Sequence, residues 1–182
     1  MKMYGILAGP MALALVMGGY LLLPSPANAR TGDNAEINRL FADAKSEALE
    51  LKTDADDMVA FNRMDLTAHS YAEKITMIKE HVNNTGKLLV KLENAKADGA
   101  AWQQTAIDRI APLLREMAEN TSATITYFNE NKDRVHLDEF KEYINTNYDL
   151  ATDLEALIRN FVDYGNAKEK YEDLGRTLEI TG

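Results

Sequence analysis

Three histidines, a single tryptophan and a few polar residues set on apolar seams are the side chains of this sequence best suited to chemistry. A di-iron bundle needs two Glu-x-x-His pairs and two further inward glutamates, because carboxylates and imidazoles must converge on both ions. The sequence has no such pair. Its nearest approach, Asp133 with His136, lies in a polar turn and occurs once, so capping or solvent contact accounts for it. Haem held without a covalent link needs a core-facing histidine. With Phe61 as an a position of a heptad, His69 falls at b, Met77 at c and His81 at g, so only His81 borders the seam.

Asp54, Asp56 and Asp57 form an acidic knot but lack the turn glycine and spaced oxygen ligands of a calcium loop, and they read as a solvated helix face. No Gly-x-Ser-x-Gly elbow supports a serine nucleophile, and no glycine-rich loop offers a phosphate cradle. Trp102 reads as a core or end-capping aromatic. Less ordinary are Thr85, Thr121, Thr124 and Asn147, which stand where apolar residues are due. Antiparallel threading brings Thr121, Thr124 and Asn147 to the height of His81, so these four residues define a candidate polar layer. Such a layer either sets register, as buried asparagines and back-bonded threonines do in bundles, or lines a small-ligand pocket.

The elements that carry these residues are helical. Phe61, Met64, Ala68, Tyr71, Ile75, Ile78, Val82, Thr85, Leu89 and Leu92 recur at steps of three and four. Ile37, Phe41, Ala44, Ala48, Leu51, Ala55 and Met58 keep the same rhythm in another phase, which one straight helix cannot accommodate. A turn is therefore expected at Asn62–Thr67, with Asn62, Asp65 and Thr67 as turn and capping residues, or else at Thr53–Asp57. A third helix after Ala97-Asp98-Gly99 carries Ile107, Ile110, Leu114, Met117, Thr121, Thr124 and Phe128, with a kink or restart at Pro112. The fourth carries Phe140, Ile144, Asn147, Ala151, Leu154, Ile158 and Phe161. Gly165 is expected to end it, Asn166 and Glu169 then opening a short C-terminal helix, with Gly175 a second stop. Four helices of about 30 residues joined by short turns give an all-α, antiparallel up-down-up-down four-helix bundle.

With 182 residues, 46% of them hydrophobic, the chain fits one domain with its own core. Residues 1–29 read as a signal peptide and residues 30–182 as the bundle domain. Lys2 precedes the uncharged Met3–Leu23, Pro24-Ser25-Pro26 breaks it, and Ala27-Asn28-Ala29 supplies a cleavage motif before Arg30. The apolar run exceeds the ~7–15 residues usual in such a segment, which leaves an uncleaved anchor as the alternative. The expected location is periplasmic or secreted, or the inner membrane if the anchor is retained; a cleaved chain would have no stable membrane insertion. Cleavage removes Lys2 alone from 20 basic side chains facing 29 acidic ones, moving the net charge from −9 to −10. A surface of that sign repels phosphate backbones, so no nucleic-acid partner is expected. The lack of cysteine excludes thiolate catalysis, covalently attached haem and a lipidated N-terminus, and leaves folding to apolar burial alone.

The runs His69-Ser70-Tyr71-Ala72-Glu73, Ile78-Lys79-Glu80-His81-Val82-Asn83, Gly86-Lys87-Leu88, Ile110-Ala111-Pro112-Leu113-Leu114 and Phe161-Val162-Asp163-Tyr164-Gly165 resemble an uncharacterised family of exported bacterial all-helical proteins. The resemblance implies a helical fold and no activity, cofactor or catalytic residue. The sequence therefore points to a non-enzymatic protein without cofactors, acting by protein–protein interaction, self-association or as a structural envelope component. The rival reading is a small-ligand or metal-binding periplasmic bundle using the polar layer with His81.

Overall fold

The computed structural model describes residues 32–62, 64 and 66–179. The expected signal peptide, its cleavage motif and the turn residue Asp65 lie outside them. Four helices form the fold: α1 (Ala35–Phe61), α2 (Ala68–Ala95), α3 (Ala101–Glu130) and α4 (Asp138–Thr177), with short 3-10 turns at Lys96–Asp98 and Lys132–Arg134. They pack as an antiparallel bundle in which α1 lies between α2 and α4, and α3 closes the ring on the far side. No helix of the described residues is long and apolar enough to cross a membrane.

The turn sequences explain the boundaries. Asn34 caps α1, its side-chain oxygen accepting from the N–H groups of Glu36 at 2.9 Å and Ile37 at 3.2 Å. The first turn falls at Asn62–Thr67, which separates the two hydrophobic phases, and α1 runs through Thr53–Asp57. Thr67 occupies the N-cap position of α2, but its hydroxyl lies 3.5 Å from that of Ser70 and makes no capping bond to the backbone. Between α2 and α3, buried Gln103 reaches back to the Ala100 N–H at 2.8 Å and accepts from the Asn34 N–H at 3.0 Å. Its amide nitrogen donates to the Asn34 carbonyl and the Asn38 side chain, so one residue ties the start of α3 to that of α1.

The expected seam residues of α1 and α3 are all buried, as are those of α2 from Tyr71 to Leu92. Each large side chain so placed contributes about 1.5–3 kcal/mol of burial free energy. Met64, assigned to that stripe by spacing, is exposed, because it lies in the turn. Tyr71, Tyr127 and Phe128 gather around Phe140 at the turn end, with ring centroids 5.4, 5.8 and 6.0 Å from it. At Pro112 one of the two alternatives is ruled out, and at Gly165 an expectation is corrected. α3 does not restart at Pro112; it continues as one helix, held by buried Ile110, Ala111 and Leu114 around the missing donor. Nor does Gly165 end α4, which runs on to Thr177, so the described residues contain no separate short C-terminal helix.

The reason lies in Trp102. A Cβ at Gly165 would stand 2.8 Å from Trp102 Cη2 and 3.1 Å from Cζ2, so glycine is what lets the indole lie against α4. That glycine is a packing residue inside a helix of 40 residues. Trp102 is further fixed by stacking on Phe41 at 6.1 Å, an edge contact with Tyr164 at 5.4 Å and a 2.8 Å hydrogen bond from Nε1 to Asp33.

Candidate functional site

The four residues of the expected polar layer divide between two places. Three of them meet across α3 and α4. The Thr121 hydroxyl donates to Asn147 Oδ1 at 3.1 Å, and Asn147 Nδ2 donates to Thr124 Oγ1 at 2.7 Å. Thr124 in turn donates to the Asn120 carbonyl at 2.8 Å, and the Asn120 amide crosses to the Tyr143 carbonyl at 3.2 Å. Thr121, Thr124 and Asn147 are each at most 2% exposed. Both ends of the Asn147 amide are engaged, so this chain of hydrogen bonds is complete within the protein. That arrangement can fix the register of α3 against α4, since a one-step slip would strand buried polar atoms.

His81 stands elsewhere. On the α1/α2 face its Nδ1 is 2.9 Å from Glu47 Oε2, while Nε2 lies 3.4 Å from Asp54 Oδ2 and 3.6 Å from Glu50 Oε2. Its neighbour one turn on, Thr85, returns its hydroxyl to the His81 carbonyl at 2.8 Å. Asp54 is 5% exposed and bonds Lys74 through Oδ1 at 2.8 Å; its Oδ2 makes no hydrogen bond among the described residues. Lys74 also pairs with Asp57 at 2.7 Å. Burial alone lowers the Lys74 pKa, but the hydrogen bonds and charges of the two aspartates outweigh it and hold the ammonium above its ordinary value. The knot read as a solvated face is thus divided: Asp56 is exposed, while Asp54 and Asp57 clamp a lysine of the next helix. Among the described residues no group of three or more histidine and acidic side chains is arranged to hold a metal ion.

His69 pairs only with Glu73 at 3.3 Å on the exposed surface, and Asp133 and His136 are exposed at the α3–α4 turn. Sequence reasoning set Asp54 on a solvated face, where it is in fact buried, and passed over buried Gln103 and Glu155, the last paired at 3.3 Å with Arg159. A signal for Asp54 existed, since it lies three residues after Leu51 and four before Met58, beside the apolar seam.

It also overlooked the far end of α4. At about 1.5 Å per residue this helix is ~60 Å long, about 15 Å longer than the next. Gly165 is its last buried residue. From the rim of the bundle outward, Tyr164, which still touches Trp102, and then Ala167, Tyr171, Leu174 and Leu178 follow one another at steps of three and four. Tyr171 is 77% exposed, Leu178 61%, Tyr164 53% and Leu174 49%. At 100° per residue this stripe points away from the Ile144–Ile158 face that fills the core. The base of the tail is fixed: Lys168 bonds Glu172 on its own helix and Asp33 at 3.1 Å, and these partners raise its pKa against the opposing effect of desolvation.

Comparisons with protein-family models, curated proteins and solved structures find no match for this chain. Of what the sequence resemblance implied, the all-helical fold is what stands.

Proposed function

We propose that this protein is an exported envelope component that acts by presenting a helix surface to a protein partner, and that it is not an enzyme. One observation carries the reading: α4 extends past the bundle with an apolar stripe, Tyr171, Leu174 and, at its C-cap, Leu178, that is left exposed among the described residues. Exposing such side chains without a partner is unfavourable by the same burial term that holds the core together. An a/d spacing is the pattern by which one helix receives another. The polar layer supports the reading from the other side. The Asn147 amide is already bonded at both ends by Thr121 and Thr124, so a small ligand would have to replace bonds that already exist.

The test is a photoreactive benzoylphenylalanine placed in the full chain at Tyr171 and, as control, at exposed Glu116 on α3. Irradiation of intact native cells should give a protein adduct at position 171 and none at 116. Labelling of both positions alike, or of neither, would remove the proposed surface.

A further inference from the structure

We infer that His81 is a proton-operated latch between α1 and α2, closed when its ring is charged and loosened when the ring is neutral. The hydrogen-bonding chemistry of imidazole defines the two states. A carboxylate accepts and cannot donate, so Nδ1, 2.9 Å from Glu47 Oε2, carries a proton. In the neutral ring that proton is the only one, and Nε2 turns a lone pair towards Asp54 Oδ2 at 3.4 Å and Glu50 Oε2 at 3.6 Å. Three atoms that can only accept then meet. Charging the ring puts a donor on Nε2 as well, so one imidazolium faces carboxylates at both of its nitrogens.

The need for that second donor is visible in Asp54. Its side chain is 7% exposed and its Oδ1 is taken by Lys74 at 2.8 Å, while Oδ2 is buried without a hydrogen bond among the described residues. A buried acceptor left unbonded is unfavourable, and the group that faces this one is His81 Nε2.

The surrounding charges act in the same direction. α1 brings Glu47, Glu50 and Asp54 to the ring, with Asp57 beyond them. On its own helix the residues three and four places from His81, namely Met77, Ile78, Asn84 and Thr85, are uncharged. Lys74, two turns back, is shared between Asp54 and Asp57, and Lys87, further along α2, bonds the Asn84 side chain. Among the described residues no charged group of α3 or α4 pairs with the ring, whose ionic partners all come from α1. The carboxylates converge on His81 only when α1 and α2 pack, so folding takes up the proton. The contribution of the latch is therefore present on the acid side of the histidine range and is lost as the pH rises through it. With the ring neutral, the two helices stay joined by their apolar seam and by the Lys74 clamp alone.

The test is urea unfolding of the full chain between about pH 5.5 and 8, where ordinary carboxylates and lysines keep their charges. Over that range the folding constant of the parent should fall about tenfold, the loss expected when one charge-assisted hydrogen bond goes. His69→Gln, which alters only an exposed pair with Glu73, should show the same fall. His81→Gln should show none of it. If His81→Gln does not fold, Glu47→Gln/Glu50→Gln decides the matter: it keeps the ring but removes the charge of two acceptors, so its fall should be shallower than that of the parent. A flat parent profile would overturn the inference. So would a fall that persists in His81→Gln, that is undiminished in Glu47→Gln/Glu50→Gln, or that disappears in His69→Gln.

Discussion

Gly165 and Trp102 act as a lock and should behave as one. In an exposed helix, glycine to alanine adds about 1 kcal/mol of helix propensity. Here the added methyl meets an indole that cannot retreat, because Phe41, Tyr164 and Asp33 hold it. Overpacking of this kind costs about 1–3 kcal/mol, so the clash wins. Gly165→Ala should lower the thermal midpoint; in the Trp102→Leu background the same change should be neutral or stabilising, a coupling that a double-mutant cycle measures. Asn147 behaves differently. Its partners Thr121 and Thr124 can turn their hydroxyls to carbonyls of their own helix, as Thr124 and Thr85 already do. Asn147→Leu should therefore match or exceed the parent in chemical denaturation, while proton NMR linewidths broaden as the α3/α4 register loosens. The position of Asn147 was legible in the sequence because Ile144, Ala151 and Leu154 fix which way that face points. The partnership of His81 was not, since a g position borders two neighbours and the spacing does not say which will supply the carboxylates.

Between α1 and α2 the decisive contact is ionic. Lys74→Met should cost about 3 kcal/mol in urea unfolding by leaving Asp54 buried without its cation, and adding Asp54→Leu should recover much of that loss. The folded-state pKa of Lys74 lies above the ordinary lysine value of 10.5, so its contribution is fully present below that value and is lost as pH rises through the folded one. The parent should accordingly lose more stability than the Lys74→Met/Asp54→Leu variant between neutral and strongly alkaline pH. Within α2, Ile78 is 1% exposed and Met77 42%. Ile78→Asp should cost several kcal/mol and Met77→Asp little, by the same urea titration. The helices themselves were legible because period and phase are carried by many residues at once, and the phase change at Asn62–Thr67 placed the first turn. The end of α4 was not: Gly165 offers the usual stop signal, and only the indole of a residue 63 positions earlier explains why glycine is there.

At the scale of the molecule, the tail is separable from the bundle. No described residue after Gly165 is buried. A chain ending at Lys170 keeps the Lys168–Asp33 bond, and its thermal midpoint should remain within ~1 °C of the parent. Bundle stability would then be independent of the tail. The single indole at the head of α3 gives the whole assembly a built-in optical probe. Its environment is made of a residue before α1, a ring of α1 and a glycine of α4, so its emission wavelength registers the joining of three chain segments distant in sequence. Opening of this end alone would shift the fluorescence before the helical dichroism falls, whereas a bundle that melts as one unit would change both signals together.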